Sequence, residues 1–288
     1  MMTLAAVDRI VAAALEEDAP WGDITSEALI PTGAVATAVL AAREPGIFSG
    51  SAVFDAAFRL TDPTIAVAWQ VADGDRFSAG QTLATITGPA RAVLTAERIG
   101  LNFAQRMSGI ATLTGSYVDA VAGTGVRIAD TRKTTPGLRV LERHAVRSGG
   151  GHNHRHSLSD AVMAKDNHLA VLTASGLSVT EALLQAKTRL PHTTHIEVEV
   201  DRLAQIEPVL AAGIGTIMLD NFSLDDLRTG VAMVAGRATV EASGGVTLET
   251  VRAIAETGVD VISVGALTHS ARALDLGLDV RVELPASS

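Results

Sequence analysis

Short apolar stretches alternate with amphipathic ones from residue 125 to residue 265, and this alternation constrains the fold more than any other feature. Regular alternation of strands and helices implies a parallel sheet, whose buried strands are apolar throughout. A complete β/α barrel has eight strands, and this region offers fewer, so we predict an incomplete β/α barrel. The predicted strands cover residues 127–130, 161–164, 195–200, 216–219, 239–242 and 261–264, and the predicted helices cover residues 179–189, 203–212, 224–234 and 248–257.

The N-terminal part of the chain shows a different pattern. Residues 4–15 have apolar side chains at helical spacing, and a helix at 52–60 is predicted between strands at 36–42 and 66–71. A long helix is expected from residue 94 to about residue 123, with Thr95 as its N-cap and a break near Gly109. Residues 16–31 are predicted to form an irregular acidic connection in which Trp21 packs against the core. We therefore predict an N-terminal α/β module.

Arg98 lies in the first turn of that expected helix, where a cation opposes the helix dipole. Such a placement indicates a side chain that meets an anion. An exposed arginine without a specific role is the alternative.

Basic residues are concentrated between Arg127 and His156, in a chain whose formal net charge is −9. This segment also contains four of the eight histidines and a run of three glycines. Cations packed among glycines indicate a pocket for a small, highly charged anion, whereas a nucleic-acid surface would need an overall basic domain. A solvated basic face is the alternative. The segment holds the basic residues Arg127, Arg132, Lys133, Arg139, Arg143, Arg147 and Arg155 against the acids Asp130 and Glu142.

Polar groups recur at the ends of the predicted strands. The first strand ends in Thr131-Arg132-Lys133, another ends at Lys165, and later markers are Glu199, Asp220, Ser243 and Gly265, separated by 21, 23 and 22 residues. In β/α barrels the functional residues cluster at the carboxyl ends of the strands. An unpaired buried charge costs several kcal/mol, so Glu199 and Asp220 are not expected to be core residues. We therefore predict that these groups share one rim.

The last two strand–helix units predict a phosphate site. Ser243-Gly244-Gly245 and Val264-Gly265-Ala266 follow strands and precede helices, and His269 lies further along. Glycines let backbone N–H groups approach a phosphate, and a helix N-terminus favours its charge. A phosphorylated sugar that carries pyrophosphate, together with an anionic acceptor, would match this rim.

The sequence favours a reducing compartment. The chain has no cysteine, which excludes disulfides and thiolate metal sites. No stretch resembles a signal peptide or reaches the ~20 apolar residues of a membrane span. We expect a cytoplasmic protein.

Several motifs together resemble the quinolinate phosphoribosyltransferases, also called carboxylating nicotinate-nucleotide pyrophosphorylases. In order they are T-A-E-R at residues 95–98, D-T-R-K-T-T-P-G at 130–137, G-G-G-H-N-H-R at 149–155, K-D-N-H at 165–168, E-V-E-V-D at 197–201, L-D-N-F at 219–222, S-G-G at 243–245 and V-G-A at 264–266. The resemblance covers nearly the whole chain. His156-Ser157 departs from the family pattern, which leaves the details of that loop open.

The resemblance implies a role for each matching residue. Quinolinate would be held by Arg98 from a neighbouring subunit and by Arg132, His154, Arg155 and Lys165. Phosphoribosyl pyrophosphate, with Mg²⁺ on the pyrophosphate, would contact Lys133, Glu199, Asp220, Ser243, Gly244, Gly245 and Gly265. Thr131, Val264 and Ala266 are further expected substrate-binding residues, and His269 is a secondary candidate near the phosphate. Lys133, Glu199 and Asp220 would be catalytic, and Glu199 and Asp220 would hold the metal, directly or through water. No organic cofactor is expected.

The resemblance also implies an architecture and a reaction. An N-terminal α/β sandwich (residues 1–108 plus 271–288) would pack on an incomplete β/α barrel (residues 109–270) in a homodimer with shared active sites. The enzyme would transfer the phosphoribosyl group of phosphoribosyl pyrophosphate to quinolinate with loss of CO₂, giving nicotinate mononucleotide and pyrophosphate.

Three alternatives stay open. A phosphate-binding barrel isomerase or aldolase would explain the glycine motifs, with Lys165 as a Schiff-base lysine. A non-catalytic, transport-linked paralogue would share the fold, although such paralogues tend to lose the motif at residues 165–168. Nicotinate could also replace quinolinate as the acceptor, but the number of cations favours a dicarboxylate.

Overall fold

The strands of the computed structural model form two main sheets of opposite kinds. Over the described residues, 2–174 and 176–284, one sheet has four antiparallel strands and the other has six parallel strands. The chain divides into two compact units, and each of these sheets lies in one unit. The first unit comprises Met1–Gly115, Thr134–Gly150 and Leu267–Ser288, and the second comprises Ser116–Lys133 and Gly151–Ala266.

The N-terminal elements belong to the first unit. In chain order they are α1 (Leu4–Asp18), α2 (Ile24–Leu29), β1 (Val35–Ala42), β2 (Gly46–Ile47), α3 (Ser51–Thr61), β3 (Ala66–Trp69), β4 (Arg76–Phe77), β5 (Thr82–Pro89) and the long helix α4 (Ala90–Ala120), whose last residues enter the second unit.

The remaining elements alternate strand and helix. They are β6 (Arg127–Ala129), α5 (Arg139–Ser148), β7 (Val162–Ala164), α6 (Asp166–Thr173), α7 (Val179–Thr188), β8 (Ile196–Val200), a 3₁₀ turn (Leu203–Gln205), α8 (Ile206–Ala211), β9 (Thr216–Asp220), α9 (Leu224–Val234), β10 (Thr239–Ser243), α10 (Val251–Ala255), β11 (Val261–Ser263), α11 (Ala266–His269) and β12 (Leu276–Glu283). Of these, α5, β12 and all but the first residue of α11 belong to the first unit.

The antiparallel sheet has the order β12-β1-β5-β3, so the end of the chain pairs with the first strand. The pairing runs from Val35 opposite Glu283 to Ala42 opposite Leu276. Alternate residues of β1 point into an apolar core that contains Leu40, Phe54 and Phe58, all fully buried. Burial of large apolar side chains is the main stabilising contribution to such a layer.

Helix α4 differs from its predicted form. It begins directly after Pro89, so Thr95 is an interior residue whose hydroxyl donates to the carbonyl of Arg91 at 2.9 Å. Arg98 is therefore not in the first turn, and the dipole argument for it is wrong. The helix also continues through Gly109 without the predicted break. The glycine at this position allows close packing, because a Cβ there would lie 1.9 Å from the Arg272 carbonyl oxygen.

The acidic connection at residues 16–31 also differs from expectation. It contains α2, which begins at the N-cap Asp23; the Asp23 side chain accepts from the backbone N–H groups of Thr25 and Ser26. Trp21 does not pack against the core of this chain, since its exposed fraction is 93%.

The parallel sheet has the order β6-β11-β10-β9-β8-β7, and β6 and β7 are its two edges. Residues 152–155 lie beside β6: Ala129 and His152 form a parallel bridge, and the His152 N–H donates to the Ile128 carbonyl at 2.8 Å. The strands match the predicted ones within a residue or two. The predicted helix at 203–212 is instead a 3₁₀ turn followed by α8.

The predicted α/β class, with an N-terminal α/β sandwich and an incomplete β/α barrel, is confirmed by this architecture. The predicted domain boundaries at residues 108/109 and 270/271 stay a prediction. Within the described ranges, none of the helices has the length and apolarity that a membrane span requires.

Candidate active site

A cavity of about 550 Å³ lies in the second unit at the carboxyl ends of the parallel strands. Most of the predicted ligand residues line it, and they come from the ends of β6, β7, β8, β9 and β10 or from the loops that follow these strands. Met163, Met218, Asn221 and Ser263 line it as well and were not predicted. The predicted residues in its wall are Thr131, Arg132, Lys133, His154, Arg155, Lys165, Glu199, Asp220, Ser243, Gly244 and Gly245.

Five predicted residues are not in this wall. Val264, Gly265 and Ala266 directly follow the lining residue Ser263. Arg98 and His269 belong to the first unit, so their predicted contacts with substrate stay predictions.

Strand alternation explains why these side chains meet. Successive side chains of a strand point to opposite faces, so residues two apart share a face. Glu199 is paired in register with Met218, and Asp220 is paired with Ser243. The spacing of 21 and 23 residues between Glu199, Asp220 and Ser243 therefore places one polar side chain of each neighbouring strand at the same end of the sheet.

Lys165 and Glu199 form an ion pair inside the cavity. The Lys165 ammonium contacts a carboxylate oxygen of Glu199, and the Glu199 side chain is the more buried partner. The backbone N–H of Lys165 donates to Nδ1 of His168 at 3.1 Å, which orders the start of α6. One cation of the cavity wall is thus paired with a carboxylate on the neighbouring strand.

Asp220 is oriented by a strained turn. The side-chain amide of Asn221 donates to Asp220 at 2.7 Å, and Asn221 has φ of +57°. A residue other than glycine rarely adopts this conformation, and it persists where the surroundings fix it. Here the Asn221 N–H donates to the Ser243 carbonyl at 2.9 Å. The glycine at position 244 leaves room for the Asn221 side chain, because a Cβ at Gly244 would lie 2.1 Å from Oδ1 of Asn221.

Two arginines give the cavity its anion-binding character. Burial lowers the pKa of Arg155, and repulsion from the nearby Arg132 guanidinium lowers it further. Nε of Arg132 is buried and has no hydrogen-bond partner among the described residues. Like charges held together at partial burial favour a bound anion, which would relieve both the repulsion and the missing hydrogen bond.

Beneath these arginines lies a buried cluster that the sequence analysis missed. Nε2 of His154 is 3.0 Å from a carboxylate oxygen of Glu197 and 3.5 Å from one of Glu241. The exposed fractions of Glu197 and Glu241 are 3% and 4%. Sequence spacing could have indicated both glutamates. Glu197 precedes Glu199 by two residues on β8, and Glu241 precedes Ser243 by two residues on β10. Since residues two apart on a strand share a face, each glutamate lies one layer deeper on the face that carries the predicted residue.

The hydrogen bonds of His154 determine which ring nitrogen carries a proton. Burial lowers the pKa of the His154 imidazole, whereas hydrogen bonds to Glu197 and Glu241 raise it. Nδ1, however, accepts from the backbone N–H of Arg155 at 2.7 Å. A second proton on Nδ1 would point two N–H groups at each other, so it would require this amide to turn away. The described contacts are those of the Nε2–H tautomer.

The ligand-type atoms of this cluster all lie within 4.8 Å of one another, as they would around a metal ion. A metal on Nε2 of His154 would need that nitrogen to be unprotonated. Since Nδ1 is an acceptor, the proton lies on Nε2, between the ring and the carboxylates. The arrangement is that of a histidine held by two glutamates.

Glu199 and Asp220 are a suitable pair for the predicted metal. Mg²⁺ prefers oxygen ligands and is commonly held by one or two carboxylates together with substrate phosphates. Both side chains line the same cavity as the glycines at 244–245. The donor set therefore fits Mg²⁺ that arrives with a phosphorylated substrate.

A second cavity of about 520 Å³ is lined by residues from the starts of the parallel strands. His195, Thr216 and Thr239 are among its wall residues, and it shares His154 and Arg155 with the first cavity. The His154 cluster thus separates two polar cavities.

The fold and the site define the class of the protein: an α/β enzyme whose barrel-type parallel sheet has a cavity lined by cationic side chains at the carboxyl ends of its strands. The family models for the quinolinate phosphoribosyl transferase N-terminal and C-terminal domains match residues 23–108 and 110–279. The chain belongs to the quinolinate phosphoribosyltransferase family.

Individual relatives agree with this assignment. The chain is 45% identical over 276 residues to the nicotinate-nucleotide pyrophosphorylase [carboxylating] of Mycobacterium leprae, covering 93% of this chain and 94% of that protein. It is 43% identical over 264 residues to the probable nicotinate-nucleotide pyrophosphorylase [carboxylating] of Bacillus subtilis, covering 92% and 90%. The crystal structure of NadC from Streptococcus pyogenes is similar with a TM-score of 0.93 and 40% identity, covering 98% of this chain and 99% of that one.

Proposed function

We propose that this protein transfers the phosphoribosyl group of phosphoribosyl pyrophosphate to the nitrogen of quinolinate, with decarboxylation to nicotinate mononucleotide. One observation carries the proposal: in a chain of net charge −9, four cations and two carboxylates line a single cavity beside a glycine turn. Two anionic substrates repel each other, and a cationic cavity offsets that repulsion. The cations are Arg132, Lys133, Arg155 and Lys165, and the carboxylates are Glu199 and Asp220.

The first step forms a bond between the quinolinate nitrogen and the anomeric carbon of ribose, and the bond from that carbon to pyrophosphate breaks. Positive charge develops on the ribose ring, and the carboxylates of Glu199 and Asp220 stabilise it electrostatically. Lys133 offsets the negative charge that grows on pyrophosphate. Mg²⁺, when bound through Glu199, Asp220 and the phosphates, adds further charge neutralisation.

The second step breaks the bond between the ring and the carboxylate next to the nitrogen. The bonding electrons stay on the ring carbon, where the adjacent quaternary nitrogen stabilises them, and CO₂ leaves. That carbon then takes a proton from solvent. Arg132 and Arg155 hold the carboxylates of the acceptor, so they select a dicarboxylate over nicotinate.

We also propose that the enzyme works as a homodimer in which Arg98 enters the neighbouring active site. Two observations support this. Arg98 lies in the first unit, on helix α4, and neither Arg98 nor any other residue of that helix lines the cavity. The family resemblance assigns the arginine at this position to the partner subunit.

The test offers phosphoribosyl pyrophosphate and Mg²⁺ with either quinolinate labelled at the carboxylate next to nitrogen or nicotinate. We expect equal amounts of pyrophosphate and labelled CO₂ with quinolinate, and little pyrophosphate with nicotinate. A reaction without phosphoribosyl pyrophosphate is the control. Failure to release both products from quinolinate would contradict the proposal.

The isomerase or aldolase alternative requires Lys165 to act as an uncharged amine. In the structure the Lys165 amino group contacts the Glu199 carboxylate, and this contact would have to break before Lys165 could attack a carbonyl substrate. Borohydride trapping with a carbonyl substrate would decide: a covalent adduct at Lys165 would support the alternative.

A further inference from the structure

Both ring nitrogens of His154 are committed to groups of the protein. Nε2 donates toward Glu197, 3.0 Å away, and toward Glu241, 3.5 Å away. Nδ1 accepts from the Arg155 backbone N–H at 2.7 Å. A histidine that bound quinolinate by a hydrogen bond would have to exchange one of these contacts for the ligand.

The main chain at His154 is fixed as firmly as its ring. The His154 N–H donates to Asp130 at 2.7 Å, and the Asn153 side chain donates to the same carboxylate at 2.6 Å. Asp130 is fully buried at the end of β6, and its own N–H donates to the His152 carbonyl at 3.0 Å. Residues 152–154 are therefore held against β6 by backbone and side-chain contacts together.

Arg155 is the outer end of this arrangement. Its backbone N–H is bound by the His154 ring, and its Nη1 donates to the Ala161 carbonyl at 2.9 Å. These two contacts fix both the backbone amide and the guanidinium group of Arg155. Arg155 lines the substrate cavity together with Arg132.

Buried carboxylates are unexpected directly beneath an anion site, because their charge opposes the anion and burial penalises them. Glu197 and Glu241 each also keep one buried oxygen that has no hydrogen-bond partner among the described residues. Apolar side chains would suit the interior of this sheet better than two glutamates. The carboxylates of Glu197 and Glu241 are explained if their function is to accept the hydrogen bond of the His154 ring.

We propose that Glu197, Glu241 and His154 are positioning residues that act through Arg155, and that His154 makes no direct hydrogen bond to the acceptor substrate. The carboxylates hold the Nε2–H tautomer, the tautomer leaves Nδ1 as an acceptor, and Nδ1 fixes the Arg155 amide. This inference rests on the proposed function, because it assumes that Arg155 binds a carboxylate of quinolinate.

The first experiment measures binding of quinolinate and of phosphoribosyl pyrophosphate to the full chain by calorimetry. Glu197→Leu and Glu241→Leu remove the acceptors at similar volume, and we expect quinolinate to bind roughly 3- to 100-fold more weakly, with phosphoribosyl pyrophosphate little changed. Glu197→Gln and Glu241→Gln keep an acceptor oxygen and should restore most of the affinity. Thr239→Val is the matched control, because Thr239 lies on the same strand as Glu241 and lines the second cavity.

Measuring the effect of Glu197→Leu with and without the Arg155 side chain distinguishes a positioning role from a general structural effect. In an Arg155→Ala background, Glu197→Leu should weaken quinolinate binding by less than threefold, because the side chain it positions is gone. Equal losses in both backgrounds would overturn the proposal.

The second experiment reads the His154 ring directly by ¹⁵N nuclear magnetic resonance. We expect the Nε2–H tautomer in the ligand-free protein and the same tautomer after quinolinate is added. Protonation of Nδ1 on binding would overturn the proposal, and so would an unchanged tautomer in Glu197→Leu. If the wild type turns over no quinolinate, the proposed function fails, and the ligand-free spectrum still tests whether the glutamates set the tautomer.

Discussion

The ammonium of Lys165 and the carboxylate of Glu199 contact each other across neighbouring strands β7 and β8. Both residues line the cavity that is proposed to hold two anions. The pair holds the Lys165 ammonium against Glu199, and a bound quinolinate carboxylate would compete with Glu199 for the same ammonium. The two partners thus have opposite effects on acceptor binding.

Glu199→Gln should separate these effects. Loss of the carboxylate removes stabilisation of positive charge on the ribose ring, so kcat should fall by about 100-fold. Lys165 is then released for quinolinate, so the Kd for quinolinate should stay constant or decrease by up to about tenfold. Steady-state kinetics and calorimetry measure the two quantities. A clear loss of quinolinate affinity with unchanged kcat would contradict this role for Glu199.

Lys133→Ala should reduce kcat by roughly 100- to 1000-fold, because the Lys133 ammonium interacts most strongly with the charge that grows on departing pyrophosphate. Quinolinate affinity should change far less. Lys187→Ala is a matched control, since Lys187 lies on α7 and binds the carbonyls of Ala212 and Gly213, away from the cavity. Normal turnover in Lys133→Ala would remove this residue from the mechanism.

The sequence predicted the parts of this site that depend on local order. The spacing from Glu199 to Gly265 reflects one strand–helix unit per step, so it placed the strand ends correctly. The long helix was misplaced because Thr95 resembles an N-cap and Gly109 resembles a break. Only the tertiary contact between Gly109 and Arg272 explains the glycine.

The cluster of His154, Glu197 and Glu241 depends on contacts that local patterns do not contain. Glu197 and Glu241 lie on β8 and β10, which are separated by β9 in the sheet. His154 reaches them because residues 152–155 run beside the edge strand β6. Strand alternation could have indicated that Glu197 and Glu199 share a face, but not which side chain would meet Glu197.

Gly244→Ala should impair the phosphoribosyl pyrophosphate site. The new Cβ would lie 2.1 Å from Oδ1 of Asn221, whose amide orients Asp220, and Gly244 has φ of +93°. We expect the KM for phosphoribosyl pyrophosphate to rise about tenfold or more, with about 1–3 kcal/mol of lost stability from strain. Gly236→Ala is the control, because Gly236 has φ of +74° with no atom within 4 Å of a Cβ. If both variants raise this KM equally, the contact with Asn221 is not the cause.

The hydrogen bond between Asp73 and His144 should make the stability of the first unit depend on pH. Burial acts to raise the pKa of Asp73, but hydrogen bonds from His144, at 2.6 Å, and from the backbone of Ser51 and Gly50 lower it below its usual 3.8. A lowered folded-state pKa stabilises the protein above the unfolded value, and this stabilisation is lost as pH falls through the folded value.

Asp73→Asn should therefore cost about 1–3 kcal/mol at pH 7 and much less below pH ~3. Thermal unfolding across this pH range is the measurement. Asp225→Asn, at the exposed start of α9, is the control and should change stability little at any pH. A cost for Asp73→Asn that does not depend on pH would show that lost packing, not charge, is responsible.

Arg98→Ala and Lys133→Ala should complement each other if each active site combines residues of two subunits. In a symmetric dimer with random pairing, about half of the dimers would contain one chain of each kind, and each such dimer would have one intact site. Coexpression of the two variants should therefore restore about a quarter of wild-type activity, whereas each variant alone stays nearly inactive. The double variant coexpressed with wild type is the control, because its mixed dimers hold one defect in each site and should add no activity to that of the wild-type dimers. Absence of rescue, with mixed dimers shown by mass spectrometry, would mean that Arg98 acts within its own chain or not at all.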